Sequence, residues 1–283
     1  MTDPAILATI RARLERAQAL PSIRYRPFVV ADIAVGQIDD ARAARLARFG
    51  SLLFDVRDDA VTLGRGLHSE PSRTAALASV ARSLRAEGAL PAWRDELYAI
   101  AAEFGAPPLF HLERGAARYF GLRTFAAHVN GVVRDDHGTS MWLARRSVSK
   151  AVDPGLLDNL VGGGIAAGLS VRQTVIKEAW EEAGIDESLA SRATPGGILH
   201  VQRAMFDGLQ RETVFVHDLA LPPKFLPANQ DGEASEHRLV SRAEAARLVA
   251  TGEGADEVTV DASAVVLDYL MRHPSTEGHP PRW

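Results

Sequence analysis

The sequence predicts an α/β protein in two units: a small α+β unit over residues 1–118, then a larger α/β unit over residues 119–283. Three observations predict it. Strand-like and helix-like stretches follow one another along the 283 residues with no internal repeat. At Phe125 the texture changes, and long strand-like runs begin to alternate with helical ones. Hydrophobic residues make up 46 % and charged residues 24 %, which is ordinary for a chain that buries a core without cross-links.

Composition also narrows the function classes. With no cysteine, disulfides, thiolate zinc sites and cysteine nucleophiles are excluded. A formal charge of -4 gives no electrostatic reason to expect a nucleic-acid partner. No apolar run approaches the roughly 20 residues that span a bilayer. The Arg-rich start is amphipathic, but Asp3 and Glu15 argue against a transit peptide, so the expected location is cytoplasmic.

In chain order, Ile6, Leu7, Ile10, Leu14 and Ala17 fall at helical spacing and predict a docking helix. "FVVADIAVGQI" alternates as a strand, "DARAARLARFG" reads as a short helix closed by Gly50, and "SLLFDV" with "AVTLG" reads as a hairpin. Helices are expected at 72–87 and 93–104, with "GAPPLFHLERG" as a connector. "FAAHVNGVVRD" and "SMWLARRSV" are strands about a turn at 135–138, and "LLDNLVGGG" is a short strand entering a glycine loop. Two strands about Asp207-Gly208 follow the next helix, then a long proline-rich loop, the strand "RLVS", helices at 243–251 and 261–273, and a frayed tail, "PSTEGHPPRW".

The helix in "GGGIAAGLSVRQTVIKEAWEEAGI" carries the chemistry. Ser170 and Gln173 form a capping box, Gly184 closes the helix, and Val171, Val175, Ala179 and Ala183 form an apolar stripe. Glu178, Glu181 and Glu182 gather on one side of the last turns. Like charges at that spacing cost about 0.2–0.5 kcal/mol per pair. The helix dipole disfavours anions there by roughly 0.3–1 kcal/mol each. Lys177 offsets only part of this. A solvated acidic face is the structural explanation; the chemical one is an oxygen-rich site for a hard cation such as Mg²⁺. "GGGIAA" is not a phosphate-binding P-loop, since no Lys-Ser/Thr follows, and its helix cap comes too late for a dinucleotide fingerprint.

At these residues the sequence resembles the Nudix hydrolase box, G-x5-E-x7-R-E-U-x-E-E-x-G-U with U apolar. Aligned on Gly163, the match runs through Glu178, Ala179, Glu181, Glu182, Gly184 and Ile185, with Leu169 and Lys177 standing where the box has Glu and Arg. "SMWLARRSVSK", "PGLLDNLVGGGI", "NQDGEASEH" and "LERGAARYFGLRTFAAHVNG" resemble a subfamily related to thiamine pyrophosphokinase, in which an uncharacterised domain precedes the Nudix domain. In that subfamily Lys in the box and an apolar residue at the Leu169 position are usual.

The resemblance implies an α/β/α sandwich with a mixed sheet, and hydrolysis of a small organic diphosphate of nucleoside or thiamine type to a monophosphate and phosphate. It implies Mg²⁺, with Mn²⁺ as a substitute, held by Glu178, Glu181, Glu182 and a backbone carbonyl at Gly163, with Lys177 supporting a carboxylate. Glu181, Glu182 and Glu233 are the candidate catalytic residues; Glu233 and Glu236 are otherwise ordinary loop acids. Arg146 and Lys150 are candidates to clamp phosphate; by strand alternation only one of Arg145 and Arg146 faces the site, and Arg146 is the one chosen. Asn159, beside Asp158, either orients substrate or serves a turn. Homodimerisation is left open. The competing readings are a diphosphate-binding module without turnover and an isomerase of isopentenyl-diphosphate type, which in its common form uses a cysteine that this chain lacks.

Overall fold

The structure, a computed structural model, describes residues 3–136 and 138–274. Helix α1 (Pro4–Gln18) opens on Asp3, whose side chain accepts from the Ala5 N–H. The expected single strand at 28–38 is instead a hairpin, β1 (Tyr25–Val30) and β2 (Ile33–Asp39). Ala31 and Asp32 take left-handed dihedrals, φ 49° and 63°, which makes the two-residue reversal that strand alternation alone conceals. Helix α2 (Asp40–Ala47), the expected hairpin β3 (Phe54–Val56) and β4 (Val61–Leu63), and α3 (Glu70–Ala86) follow. The four strands form one sheet in the order β2-β1-β4-β3. Its core centres on Phe28, Phe54 and Phe120, with the Phe28 and Phe120 ring centroids 5.3 Å apart.

The helix expected at 93–104 does not form. Leu97–Ile100 is strand β5, paired antiparallel with β6 (Phe110–Glu113), which lies inside the expected connector. Leu97, Ile100 and Phe104 fit helical spacing, but Tyr98 and Ile100 are the buried pair, the alternation of a strand. Tertiary pairing has overridden local propensity here.

The larger unit contains β7 (Arg123–Asp135), β8 (Gly138–Arg146), β9 (Leu157–Asn159), β10 (Val161–Gly164), α4 (Val171–Ala183), α5 (Glu187–Ala190), β11 (Thr194–Met205), β12 (Gly208–Leu221), β13 (Ala234–Ser241), α6 (Arg242–Thr251) and α7 (Val260–Arg272). The strands make a seven-stranded sheet, β11-β12-β7-β8-β13, with β10 against β7 and β9 against β8. Only the β7–β12 pairing among these is parallel, so the sheet is mixed, as expected. Of the expected turn at 135–138, His137 lies outside the described residues, as does the tail from residue 275. The last strand begins earlier than "RLVS" and takes in Glu236.

Helix α4 covers one face of this sheet through Val175, Ala179 and Ala183, which meet Val129, Val161 and Leu219. On the other face lie α6, α7 and, from the far end of the chain, α1: Ile10 and Leu14 join Leu143, Leu248, Val266 and Leu270. The expected α/β/α sandwich is therefore completed by the first helix, which sits on the second unit's core rather than on the sheet that follows it in sequence. Ile10 is fully buried there. Ile10→Ala should lower the unfolding free energy by about 3 kcal/mol in urea denaturation, the usual cost of such a cavity. A change within about 0.5 kcal/mol, the range of ordinary surface substitutions, would place α1 outside that core.

Candidate active site

The glycines expected in a loop form β10 itself, in register with β7, Gly163 opposite Ala127. The strand needs them for close approach. A methyl group on Gly162 would meet the His128 ring, on Gly163 the Glu178 carboxylate, and on Gly164 the Tyr98 hydroxyl. The Gly162 N–H leaves the ladder and donates to Glu182 Oε2 at 2.7 Å. Alternate residues of a strand present their backbone to opposite sides. Gly162, rather than the expected Gly163, thus turns its peptide groups toward the glutamates.

Helix α4 starts and stops as its sequence directs, with the Ser170–Gln173 capping box and Gly184 in the left-handed region at φ 65°. It sets Glu178 and Glu182 against β10, both buried, and leaves Glu181 at the rim. Lys177 Nζ donates to Glu178 Oε1 at 3.0 Å and Glu181 Oε2 at 2.6 Å, which ties two carboxylates together. Burial drives the Glu182 carboxyl above the usual carboxylate range; the Gly162 N–H and Lys150 oppose this, and Glu178 and Asp158 add to it.

Before this site runs a cleft of about 320 Å³, within the range of small-ligand sites. It brings together Gly163, Lys177, Glu178, Glu181, Arg146, Lys150 and Glu233 from the expected set. Glu182 and Asn159 lie behind it, in a small recess shared with Lys150, Asp158 and Glu233. Arg146 does face the cleft, held by Asp158 Oδ2 at 2.7 Å and by the Val152 carbonyl. Arg145 is turned away, to Glu236 Oε2 at 2.6 Å and the Gly155 carbonyl. Asn159 is buried; its Oδ1 lies 2.9 Å from His128 Nδ1, so it orients the imidazole beneath Gly162. Lys150 is almost buried and its ammonium meets Glu233. Burial holds its pKa below the ordinary lysine value, and Arg146, Arg94 and Arg114 push the same way while Glu182 opposes them.

Several cleft residues escape a motif reading. Thr124, Ala126 and His128 alternate along β7, and Gln210 and Glu212 alternate along β12. Polar residues at every second position of an inner strand are the signal that marks such a face. Asp261 comes from the start of α7, and burial first, then Glu212, raises its carboxyl to about 6. Gln210 Nε2 donates to Asp261 Oδ2 at 3.2 Å and Glu212 Oε2 at 3.3 Å, which binds the two acids into one inner end. The opposite wall is built by the first unit: Arg94, Glu96, Tyr98, Arg114 and Arg118 all border the cleft. The signal of Arg94, Glu96 and Tyr98 was hidden by the helix expected at 93–104.

The two units are fastened around this wall. Arg118 grips Asp207 with a fork, Nε to Oδ1 at 3.0 Å and Nη2 to Oδ2 at 2.5 Å. The Ala167 N–H donates to the Leu97 carbonyl at 2.8 Å, and the Leu209 N–H to the Arg118 carbonyl at 2.9 Å.

Among the described residues no three His, Asp or Glu side chains already stand at metal-ligand spacing. The donor set nevertheless suits a hard divalent cation. It consists of carboxylate oxygens with an adjacent off-ladder peptide, and the buried Glu182 is short of compensating charge.

The chain is similar to known proteins along both of its units. The model of a domain of unknown function (DUF4743) matches residues 7–124, and that of the NUDIX domain matches residues 124–261. The chain is 39 % identical over 253 residues to Nudix hydrolase 24, chloroplastic, of Arabidopsis thaliana, covering 88 % of this chain and 68 % of that protein. It is 35 % identical over 270 residues to Nudix hydrolase 20, chloroplastic, of the same plant, covering 90 % and 71 % respectively. The solved NUDIX domain of Shewanella oneidensis NrtR complexed with ADP ribose overlaps 54 % of this chain and 90 % of its own, with TM-score 0.43 and 14 % identity.

Gly163→Ala would place its new methyl group in the Glu178 carboxylate, whose flexible end can swing away. The substitution should lower the hydrolytic rate about a hundredfold, the cost of a misplacement near 1 Å, while the thermal unfolding midpoint hardly moves. Wild-type turnover by this variant in steady-state kinetics would show that Glu178 need not touch the strand.

Proposed function

The chain belongs to the Nudix hydrolase family, and from that premise we propose that it hydrolyses a small organic diphosphate of nucleoside or thiamine type to a monophosphate and phosphate, using Mg²⁺, with Mn²⁺ as a substitute. The observation that carries this reading is a pair of buried glutamates set against β10, Glu178 lining a cleft and Glu182 in the recess just behind it, with Arg94, Arg146 and Lys150 on the cleft's other walls. Carboxylates and cations converging on one cavity match a substrate that is itself an anion accompanied by a metal.

Glu178 and Glu182 would hold the cation, helped by Glu181 and by a backbone carbonyl supplied by Gly162. When bound, it neutralises the diphosphate oxygens and acidifies water. Arg146 and Lys150 hold the phosphate groups; the Asp158 and Val152 contacts fix the guanidinium beforehand, so little ordering remains at binding. Glu181 is the most accessible carboxylate of the three and is steadied by Lys177, a place from which it can take the proton of an attacking water. As the water oxygen bonds to phosphorus, the bridging P–O bond breaks and the leaving phosphate carries away its electron pair. The organic group lies toward Gln210, Glu212 and Asp261. An acidic inner end suits a ring with amino hydrogens or a positive charge, which supports a thiamine-type substrate over a neutral one.

The test is phosphate or monophosphate release from thiamine diphosphate, its oxidised analogues, ADP-ribose and dinucleotides. Turnover of at least one should require Mg²⁺ or Mn²⁺ and vanish in EDTA. Glu182→Gln should cut kcat by about a thousandfold, within the range for loss of an essential acid-base or ligand group. Folded protein inert on the whole panel, or a Glu182→Gln variant at full activity, would overturn the assignment.

A further inference from the structure

The first unit reaches into the cleft with a cation that has no dedicated counter-ion. Arg94 lies between Pro91 and β5, anchored by its own N–H to Glu113 Oε1 at 2.8 Å. Its guanidinium Nη1 meets Glu233 Oε1 at 3.3 Å, while the Lys150 ammonium meets Glu233 Oε2. One carboxylate thus serves two cations, one oxygen to each, and the cations come from different units of the chain. The neighbouring guanidiniums are occupied elsewhere: Arg114 by Glu96 Oε2 at 2.7 Å and Arg146 by Asp158. Arg94 is held below the usual arginine pKa by burial, then by repulsion from Arg114 and Arg146, so added negative charge would relieve the cluster.

The shape of this arrangement is that of a phosphate clamp closed on a substitute. Two donors that grip the two oxygens of a carboxylate can grip two oxygens of a phosphate, which bears more charge and accepts more hydrogen bonds. Glu233 is well placed to yield. Its backbone is fixed, with its N–H on Asp231 Oδ1 at 2.8 Å and its carbonyl accepting from Ser147 at 2.8 Å, so only the side chain has to turn out. Arg94 and Lys150 both border the cleft that also holds Glu178 and Glu181.

We propose that Arg94, delivered by the N-terminal unit, is a substrate-binding residue that clamps a phosphate group of the diphosphate together with Lys150, and that Glu233 occupies this anion position until the substrate displaces it. The N-terminal unit is on this account half of the active site. This rests on the diphosphate reading above.

The experiment uses the full chain and inorganic pyrophosphate as probe, titrated calorimetrically in EDTA, beside steady-state kinetics on the best diphosphate substrate with metal. Pyrophosphate should bind the wild-type chain. Arg94→Ala should weaken that binding and raise KM about tenfold or more, the value of one charge-assisted hydrogen bond, with kcat within about twofold. Arg94→Lys should restore part of the loss. Glu233→Gln should bind pyrophosphate more tightly than wild type, because the competing charge is gone. A purely structural Arg94 would lower kcat and the melting temperature instead, leaving pyrophosphate affinity unchanged; that result overturns the proposal, as does absence of pyrophosphate binding by the wild-type chain or weaker binding by Glu233→Gln. Arg94-dependent pyrophosphate binding in a chain that hydrolyses no diphosphate would remove the catalytic reading and leave the clamp standing.

Discussion

Everything at the site depends on burying carboxylates against bare backbone. Glu178 can lie on the sheet only because β10 presents no side chain at Gly163, and Glu182 docks on the free N–H of Gly162. Burying an anion is costly unless it is compensated, and the compensation comes from specific groups. The Gly162 amide and the Lys150 ammonium serve Glu182, and Lys177 serves Glu178. Each of those partners has its own structural reason to be there. The amide leaves the ladder because β10 alternates, and Lys177 is fixed by its turn on α4. Replace Gly163 and the Glu178 carboxylate must move; remove one cation and the other charges must rearrange.

The same constraint explains why the cleft is shared by two units. The larger sheet with α4 offers buried carboxylates and two cations, Arg146 and Lys150, but one side of the groove would stand open to water. Strand β5 closes it. Leu97 accepts from Ala167 in the loop just beyond the glycines, and Tyr98 reaches Gly164, which must be glycine to admit its hydroxyl. The Arg118–Asp207 fork fastens this wall to the β11–β12 turn. Excluding water on that side lowers the effective dielectric, so the charges inside act more strongly on a bound anion.

How much of this was legible in the sequence depends on the kind of signal. Helix α4 was readable to its ends, because its capping box, apolar stripe and C-terminal glycine all agree. Strand alternation put Arg145 and Arg146 on opposite sides, but which of them faces the cleft was not legible from it. The glycines were misread as a loop, since three consecutive glycines are poor strand formers by themselves; what makes them a strand is the register with Ala126, Ala127 and His128, a long-range fact. The wall was lost for a similar reason. Residues 93–104 satisfy helical spacing, and only pairing with β6, whose pattern is masked by Pro107 and Pro108, selects the strand. Gln210 and Glu212 could have been found as polar residues alternating on an apolar strand, but Asp261 could not, because nothing local says that the start of α7 meets β12.

The electrostatic layout also constrains the order of events in the cleft. With the site as it stands, nearly every cation is already satisfied: Lys177 by two glutamates, Arg146 by Asp158, Arg114 by Glu96. A substrate bearing several negative charges can enter only if some of these pairs exchange partners. Pairs fixed by a planar fork or deep burial exchange reluctantly. Pairs made by a flexible side chain from a loop exchange readily. Glu233 is the member of the second kind, half exposed and extending from the loop before β13, while its partners come from opposite walls. The weakest commitment in the network therefore sits where a phosphate would enter, and the strongest commitments sit where the carboxylates must stay in place.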